Sequence, residues 1–121
     1  QTEGCAPLAR AWASAQSDST AAAHWTHHMW PWEKDPVSLA DGILDDETYD
    51  WVADVAQLQR TDGRVVVASE LQVVEASSVA PQTTSIDASP TGAAGVAGLL
   101  SIRAELASTA RVAVVLSGIR R

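Results

Sequence analysis

The 121-residue chain is long enough for one domain, and its fifteen acidic against eight basic side chains leave a net charge of −7. The basic residues neither cluster nor line one helix face, which argues against nucleic-acid binding. Phe is absent and Cys5 is the single cysteine, so small and β-branched side chains must build the core and no internal disulfide is available. No apolar leader and no apolar run of about eighteen residues marks export or a membrane span, and the expected compartment is the cytoplasm. The sequence starts at Gln1 and not at a methionine, so it reads as a piece of a longer polypeptide.

Pro7 suits a first helical position, and Leu8, Ala11, Trp12 and Ala15 follow at helical spacing, which predicts two to three turns. Gln16 to Thr20 breaks the pattern. Ala21 to Pro36 holds three His, three Trp and two Pro without clean periodicity, so an ordered loop or short irregular helices are expected. Around Leu44, acidic Asp45, Asp46 and Glu47 place negative charge at a helix start, and Trp51, Val52, Val55 and Leu58 make an apolar stripe that ends before Gly63, the pattern of an amphipathic helix. Arg64 to Ser69 (RVVVAS) has the form of a strand buried on both faces.

Ser69 and Gln72 have capping-box spacing, which predicts a helix carrying Leu71, Val74 and Val79. Val79 to Ala88 reads as a polar loop. Ser89-Pro90 resembles an N-cap with proline behind it, opening a helix through about Leu106 whose first half is crowded with Gly and Ala. Val112 to Leu116 (VAVVL) is a second fully apolar strand. Strands separated by helices, with no hairpin signal, predict an α/β fold with a parallel sheet. Two strands cannot satisfy such a sheet, so further strands are expected outside this chain.

In open parallel sheets ligands bind beyond the carboxyl ends of the strands, which directs attention to Ser117 and Gly118 after the second strand. A hydroxyl there can bond a ligand nitrogen, and glycine lets a flat ring approach the backbone; the competing reading is a turn serine bonded to its own backbone. Asp41 and Gly42 form a polar pair in an apolar stretch, either a plain turn or part of a site. The helix start at Ser89 to Gly95 is open to two uses, anion binding or close packing, and the continuing small residues favour packing. His24, His27 and His28 match no standard zinc spacing, and no metal site is expected. Lys34, the only lysine, sits in a charged loop with nothing to desolvate its amine, so no catalytic residue is assigned within this chain.

The segments QTEGCAPLARAW, SLADGI, RVVVASE, SPTGAAGVAGLL and VAVVLSG, in that order, resemble the second half of fold-type II pyridoxal-phosphate enzymes, the tryptophan synthase β superfamily, with threonine synthase and its relatives nearest. The resemblance implies that residues 1–121 are the carboxy-terminal portion of one catalytic region within a three-layer parallel-sheet domain. The lysine and glycine-rich phosphate loop that hold pyridoxal 5'-phosphate would lie in a part of that region not included here. It places Ser117 against the pyridine nitrogen with Gly118 beside the ring, Asp41 and Gly42 near the cofactor, and Thr91 to Gly95 where close packing brings the last strands behind it.

A neutral hydroxyl at the ring nitrogen does not fix a proton there, which suits elimination and replacement at the β or γ carbon of an amino acid. The implied activity is therefore a lyase acting on a small amino acid, in which loss of phosphate or water is followed by addition of a nucleophile or release of a keto acid. Threonine synthase is the nearest type and a threonine or serine dehydratase-like ammonia-lyase the alternative enzyme. The remainder of the catalytic region would be its partner, and a homodimer is compatible with the family. A shortened, non-catalytic paralogue acting as a binding module is the reading from a different class. Ile119-Arg120-Arg121 in place of a Gly-Lys-Asp type continuation, and the tryptophan-rich loop, depart from the family pattern.

Overall fold

The computed structural model describes residues 1–120. Its elements in chain order are α1 (Pro7–Ala15), a 3-10 turn (Ala21–His24), α2 (Trp25–His28), a 3-10 turn (Asp41–Ile43), α3 (Trp51–Thr61), α4 (Glu70–Thr84), α5 (Ala94–Ile102) and a closing 3-10 turn (Arg103–Glu105). None of the helices among the described residues is long and apolar enough to cross a membrane.

The first half follows the sequence pattern closely. α1 starts on Pro7, where a missing N–H costs nothing, and buries Ala11 and Ala15. α3 buries Trp51 and Val55 one turn apart, and Asp62 ends it in a left-handed conformation at φ 52°. Gly63 N–H then bonds Leu58 O at 2.8 Å. The Ala21–Pro36 stretch forms two short helical pieces followed by irregular chain.

In α4 the capping box is present: Gln72 N–H donates to Ser69 Oγ at 3.3 Å, and Ser69 N–H donates to Gln72 Oε1 at 2.9 Å. The helix runs on to Thr84, through the stretch expected to be a loop. Pro81 inside it supplies no N–H, which leaves the carbonyl four residues back, on Ser77, without its helical donor. Arg120 Nη2 donates to that carbonyl at 3.2 Å. The buried face also differs from expectation. Val73, Ala76 and Ala80 turn inward, while Leu71 and Val74 are 82% and 50% exposed.

α5 begins later than expected, at Ala94. Ser89-Pro90 does not cap it; residues 90–93 form a separate turn, in which Gly92 N–H donates to Ser89 Oγ at 3.0 Å. The helix ends at Ile102 and passes into the 3-10 turn.

The parallel sheet of the expected α/β fold is not formed among the described residues, which contain only isolated bridges: Thr2 with Cys5, Thr2 with Ala68 in parallel sense, and Ala88 with Ile119 in antiparallel sense. Both predicted strands lack regular ladder pairing. Gln1 and Glu3 bond Val66 and Ala68, but the backbone of Val65 and Val67, and of Val112 to Leu116, has no hydrogen-bond partner among the described residues. A strand is defined by its neighbour, and a β-branched run without one remains extended chain.

Two apolar clusters result. One joins α1, the 3-10 turn at Ala21, Met29 and α3 through Ala11, Ala15, Ala21, Met29, Trp51 and Val55. The other joins α4, α5 and the loops around them through Ala40, Ala68, Val73, Ala76, Ala80, Ala88, Ala93 and Ala97.

Candidate functional site

Three short segments meet at the turn between α4 and α5. Ser117 N–H donates to Gly92 O at 3.2 Å and Ser89 N–H donates to Gly118 O at 3.1 Å, so residues 89–92 clasp residues 117–118. On the other side Gly42 N–H donates to the Thr91 hydroxyl at 3.0 Å, and that hydroxyl faces Asp41 Oδ1 at 3.4 Å. Asp41, Gly42, Ser117 and Gly118, the four residues singled out in the sequence, are thus joined through Ser89–Gly92.

The glycines explain how close this packing is. A Cβ on Gly92 would lie 1.9 Å from Gly118 O, and one on Gly42 would lie 2.9 Å from Thr91 Cγ2. Neither has positive φ; each is needed for close approach and not for an unusual backbone. Among the small residues after Ser89, Gly92 therefore serves close packing, the use the sequence favoured for this stretch.

Ser117 is exposed, and no hydrogen bond of its hydroxyl occurs among the described residues. Asp41 is likewise exposed. Gly118 is half-buried and faces Ser89 Oγ, 3.3 Å from its would-be Cβ. Lys34 is exposed. Ser89 and Thr91, read in the sequence as a helix N-cap and as part of a close-packed helix start, take other parts here: Ser89 N–H donates across the clasp to Gly118 O, and Thr91 is the link to Asp41-Gly42. The available signal was the Ser-Pro-Thr-Gly string, in which hydroxyls next to a turn commonly bond nearby backbone amides.

The histidines serve a different region. His28 is buried, with Nδ1 2.9 Å from Ser14 Oγ and Nε2 3.2 Å from Asp18 Oδ2. His24 stacks on His27 with ring centres 5.5 Å apart. Among the described residues no group of three or more His, Cys, Asp or Glu is placed to hold a metal. Hydrogen bonds from the Thr20 hydroxyl and amide, and then from His28, hold the Asp18 carboxyl below its ordinary pKa. Burial, followed by the charges of Asp46 and Asp45, raises the Cys5 thiol, whose Sγ lies 3.1 Å from Asp45 O; a raised thiol is a poor nucleophile.

Beside the tryptophan-rich loop, the Arg10 guanidinium lies 3.9 Å from the Trp30 ring centre and pairs with Glu33 at 2.7 Å. It also donates to Trp30 O. The indole of Trp30 donates to Glu33, which, with lesser help from Arg10, depresses the Glu33 pKa. These contacts shape the loop that departs from the expected pattern.

Two open grooves flank the extended segments. One of about 370 Å³ is lined by Gln1, Leu8, Leu58, Arg64 and Val66 among others. The second, about 340 Å³, lies between α5 and Val112–Val115 and also touches Val66. The clasp residues line neither.

No family model matches the sequence, and no curated protein matches it. Among solved structures the chain is similar to a threonine deaminase from T.th., with a TM-score of 0.71 and 24% identity. The match covers 99% of this chain and 38% of the deaminase, so the chain spans well under half the length of that enzyme while sharing its fold over nearly all of its own residues.

Proposed function

We propose that this chain is a carboxy-terminal segment of the catalytic region of a pyridoxal-phosphate-dependent amino-acid lyase. The observation that carries the reading is the convergence of Asp41-Gly42, Ser89–Gly92 and Ser117-Gly118 on a fold shared with part of a threonine deaminase. That neighbour favours elimination with release of ammonia and a keto acid, the dehydratase-like alternative, over the threonine-synthase type of replacement that the sequence motifs suggested.

The residues suit the cofactor in a limited way. The Ser117 hydroxyl is exposed and without a partner among the described residues, so it is free to hydrogen-bond a pyridine nitrogen without fixing a proton there. When bound, pyridoxal phosphate supplies the electron sink for carbanion chemistry at an amino acid. Asp41, exposed beside Gly42, offers a carboxylate that can accept from the ammonium group of a small amino acid. Lys34 remains in solvent, where nothing desolvates an amine for Schiff-base chemistry; covalent attachment of the cofactor falls to a lysine elsewhere.

The partner is accordingly the remainder of the catalytic region. The unpaired backbone of Val65, Val67 and Val112–Leu116 calls for neighbouring strands, and β-branched runs of this kind are normally covered on both faces. A parallel sheet, unformed among the described residues, would be completed by those strands.

The test uses the complete polypeptide encoded by the reading frame around this segment. It is expected to bind pyridoxal phosphate and to form ammonia and a 2-keto acid from threonine or serine. Ser117→Ala is expected to weaken cofactor binding roughly two- to tenfold, the worth of one neutral hydrogen bond. Unchanged affinity and turnover in that variant would remove Ser117 from the site. A complete polypeptide that binds no cofactor would favour the non-catalytic module.

A further inference from the structure

We infer that Thr91 is a positioning residue, setting the spacing between the Asp41-Gly42 side of the clasp and the Ser117-Gly118 side; the inference rests on the lyase reading. The 3-10 turn at Asp41–Ile43 contains no buried residue. Its internal bonds, Ile43 N–H to Ala40 O and Leu44 N–H to Asp41 O, are local and do not fix its place in the molecule. Among the described residues, the only hydrogen bonds joining Asp41 or Gly42 to a distant part of the chain are those to the Thr91 hydroxyl, 3.0 Å from Gly42 N and 3.4 Å from Asp41 Oδ1.

Thr91 itself is held from the other side. It lies inside the turn whose next residue, Gly92, accepts from Ser117 N–H and would overlap Gly118 O if it carried a Cβ. A shift of the 117–118 segment must therefore carry Gly92 and Thr91 with it. Ala40 and Ile43 seat the turn on the α4–α5 cluster by apolar contact, and the shift reaches Asp41 and Gly42 by hydrogen bonding through one hydroxyl. Shape alone cannot replace that hydroxyl: the methyl of Thr91 already fills the space above Gly42, 2.9 Å from a would-be Cβ, and gives contact without direction. The hydrogen bond supplies the direction, because an N–H···O bond weakens steeply as it departs from linearity.

Thr91→Val keeps the shape and removes the hydroxyl, whereas Thr91→Ser keeps the hydroxyl and removes the methyl. In the complete polypeptide Thr91→Val is expected to speed amide exchange at Gly42, followed by NMR, and to raise KM for the amino acid roughly three- to tenfold, with kcat changed less than about twofold. Thr91→Ser is expected to restore both. Two results would overturn the assignment: Thr91→Ser behaving like Thr91→Val, or a Gly42 amide that exchanges faster in Thr91→Val while KM stays at the wild-type value, since the second would mark a purely structural bond. A failure of the lyase reading looks different. There the wild-type polypeptide binds no pyridoxal phosphate, and both proposals fall; if it binds the cofactor and turns over the amino acid but Thr91→Val leaves KM unchanged, only Thr91 is wrong.

Discussion

Trp51, fully buried, meets the edge of Trp25 at 5.5 Å and the tilted ring of His28 at 5.6 Å, so the α1–α3 half of the molecule is built around one large ring, with Met29 and Val55 beside the small Ala11, Ala15 and Ala21. Between α4 and α5 the buried set is one valine and seven alanines. A methyl group buries little apolar area, roughly 0.8 kcal/mol of transfer free energy per carbon. That half depends instead on backbones approaching closely and on polar ties such as Ser101 Oγ to Gln72 Oε1 at 2.8 Å. Of its larger apolar side chains, Ile43, Val96, Leu100 and Leu116 pack against that set while still partly exposed, and Leu71 at 82% and Val115 at 78% exposure point outward. The contrast shows a division of labour: the aromatic half packs around a buried ring of its own, whereas the alanine half is a thin wall whose outer surface is built to be covered.

The contrast can be broken at either end. Trp51→Ala should have the largest effect, about 4 kcal/mol of lost stability by chemical denaturation, in the range for emptying a buried aromatic site. Its indole nitrogen is buried without a partner among the described residues, so Trp51→Phe, which removes that unpaired donor and keeps most of the ring, should lose about 1 kcal/mol. Equal losses in the two variants would show that ring packing is not what holds this half. Gly92→Ala comes next, at about 3 kcal/mol, the upper end for overpacking, because the added Cβ meets a backbone carbonyl that no rotamer change can move aside. Its signature should be local: faster amide exchange at Ser89 and Ser117, with α3 unchanged. Loss of protection in α3 as well would mean that the halves are one cooperative unit.

The same division governs how much the sequence disclosed. α1, α3 and the Ser69–Gln72 cap were legible because each is written in local terms, a helical stripe of large residues or a start signal. The extent of α4 was not. Pro81 reads as a breaker, and it is tolerated because Arg120, thirty-nine positions further on, donates to the carbonyl that proline strands. The inward face of α4 was missed for a related reason: Leu71 and Val74 are the apolar residues that catch the eye, yet in an alanine-built wall the inside belongs to the smallest side chains. The two strands were legible as composition but not as pairing, because a ladder depends on a neighbour that composition does not carry. At the site, Asp41, Gly42, Ser117 and Gly118 stood out singly. Their connection through Ser89–Gly92 spans contacts between segments 25 to 50 residues apart and carries no periodic signal.

The smallest expected effect sharpens the comparison by pH. Asp18 Oδ1 accepts from the Thr20 amide at 2.8 Å and from its hydroxyl at 2.7 Å, while Oδ2 faces His28 Nε2. These bonds favour the ionised carboxylate and lower its pKa in the folded chain below the ordinary 3.8. A depressed folded-state pKa contributes stability that is present above the unfolded value and is lost as pH falls through the folded one. Acid should therefore weaken the aromatic half in particular, in the window below about pH 4. Asp18→Asn retains an acceptor for Thr20 but cannot titrate, so its thermal midpoint should fall less steeply than the wild type's between about pH 5 and pH 2, with amide exchange in α3 showing the difference and α4 and α5 giving matched rates. Parallel acid profiles for the two proteins would mean that the Asp18 bonds do not stabilise the fold, and that the aromatic half is held by its rings alone.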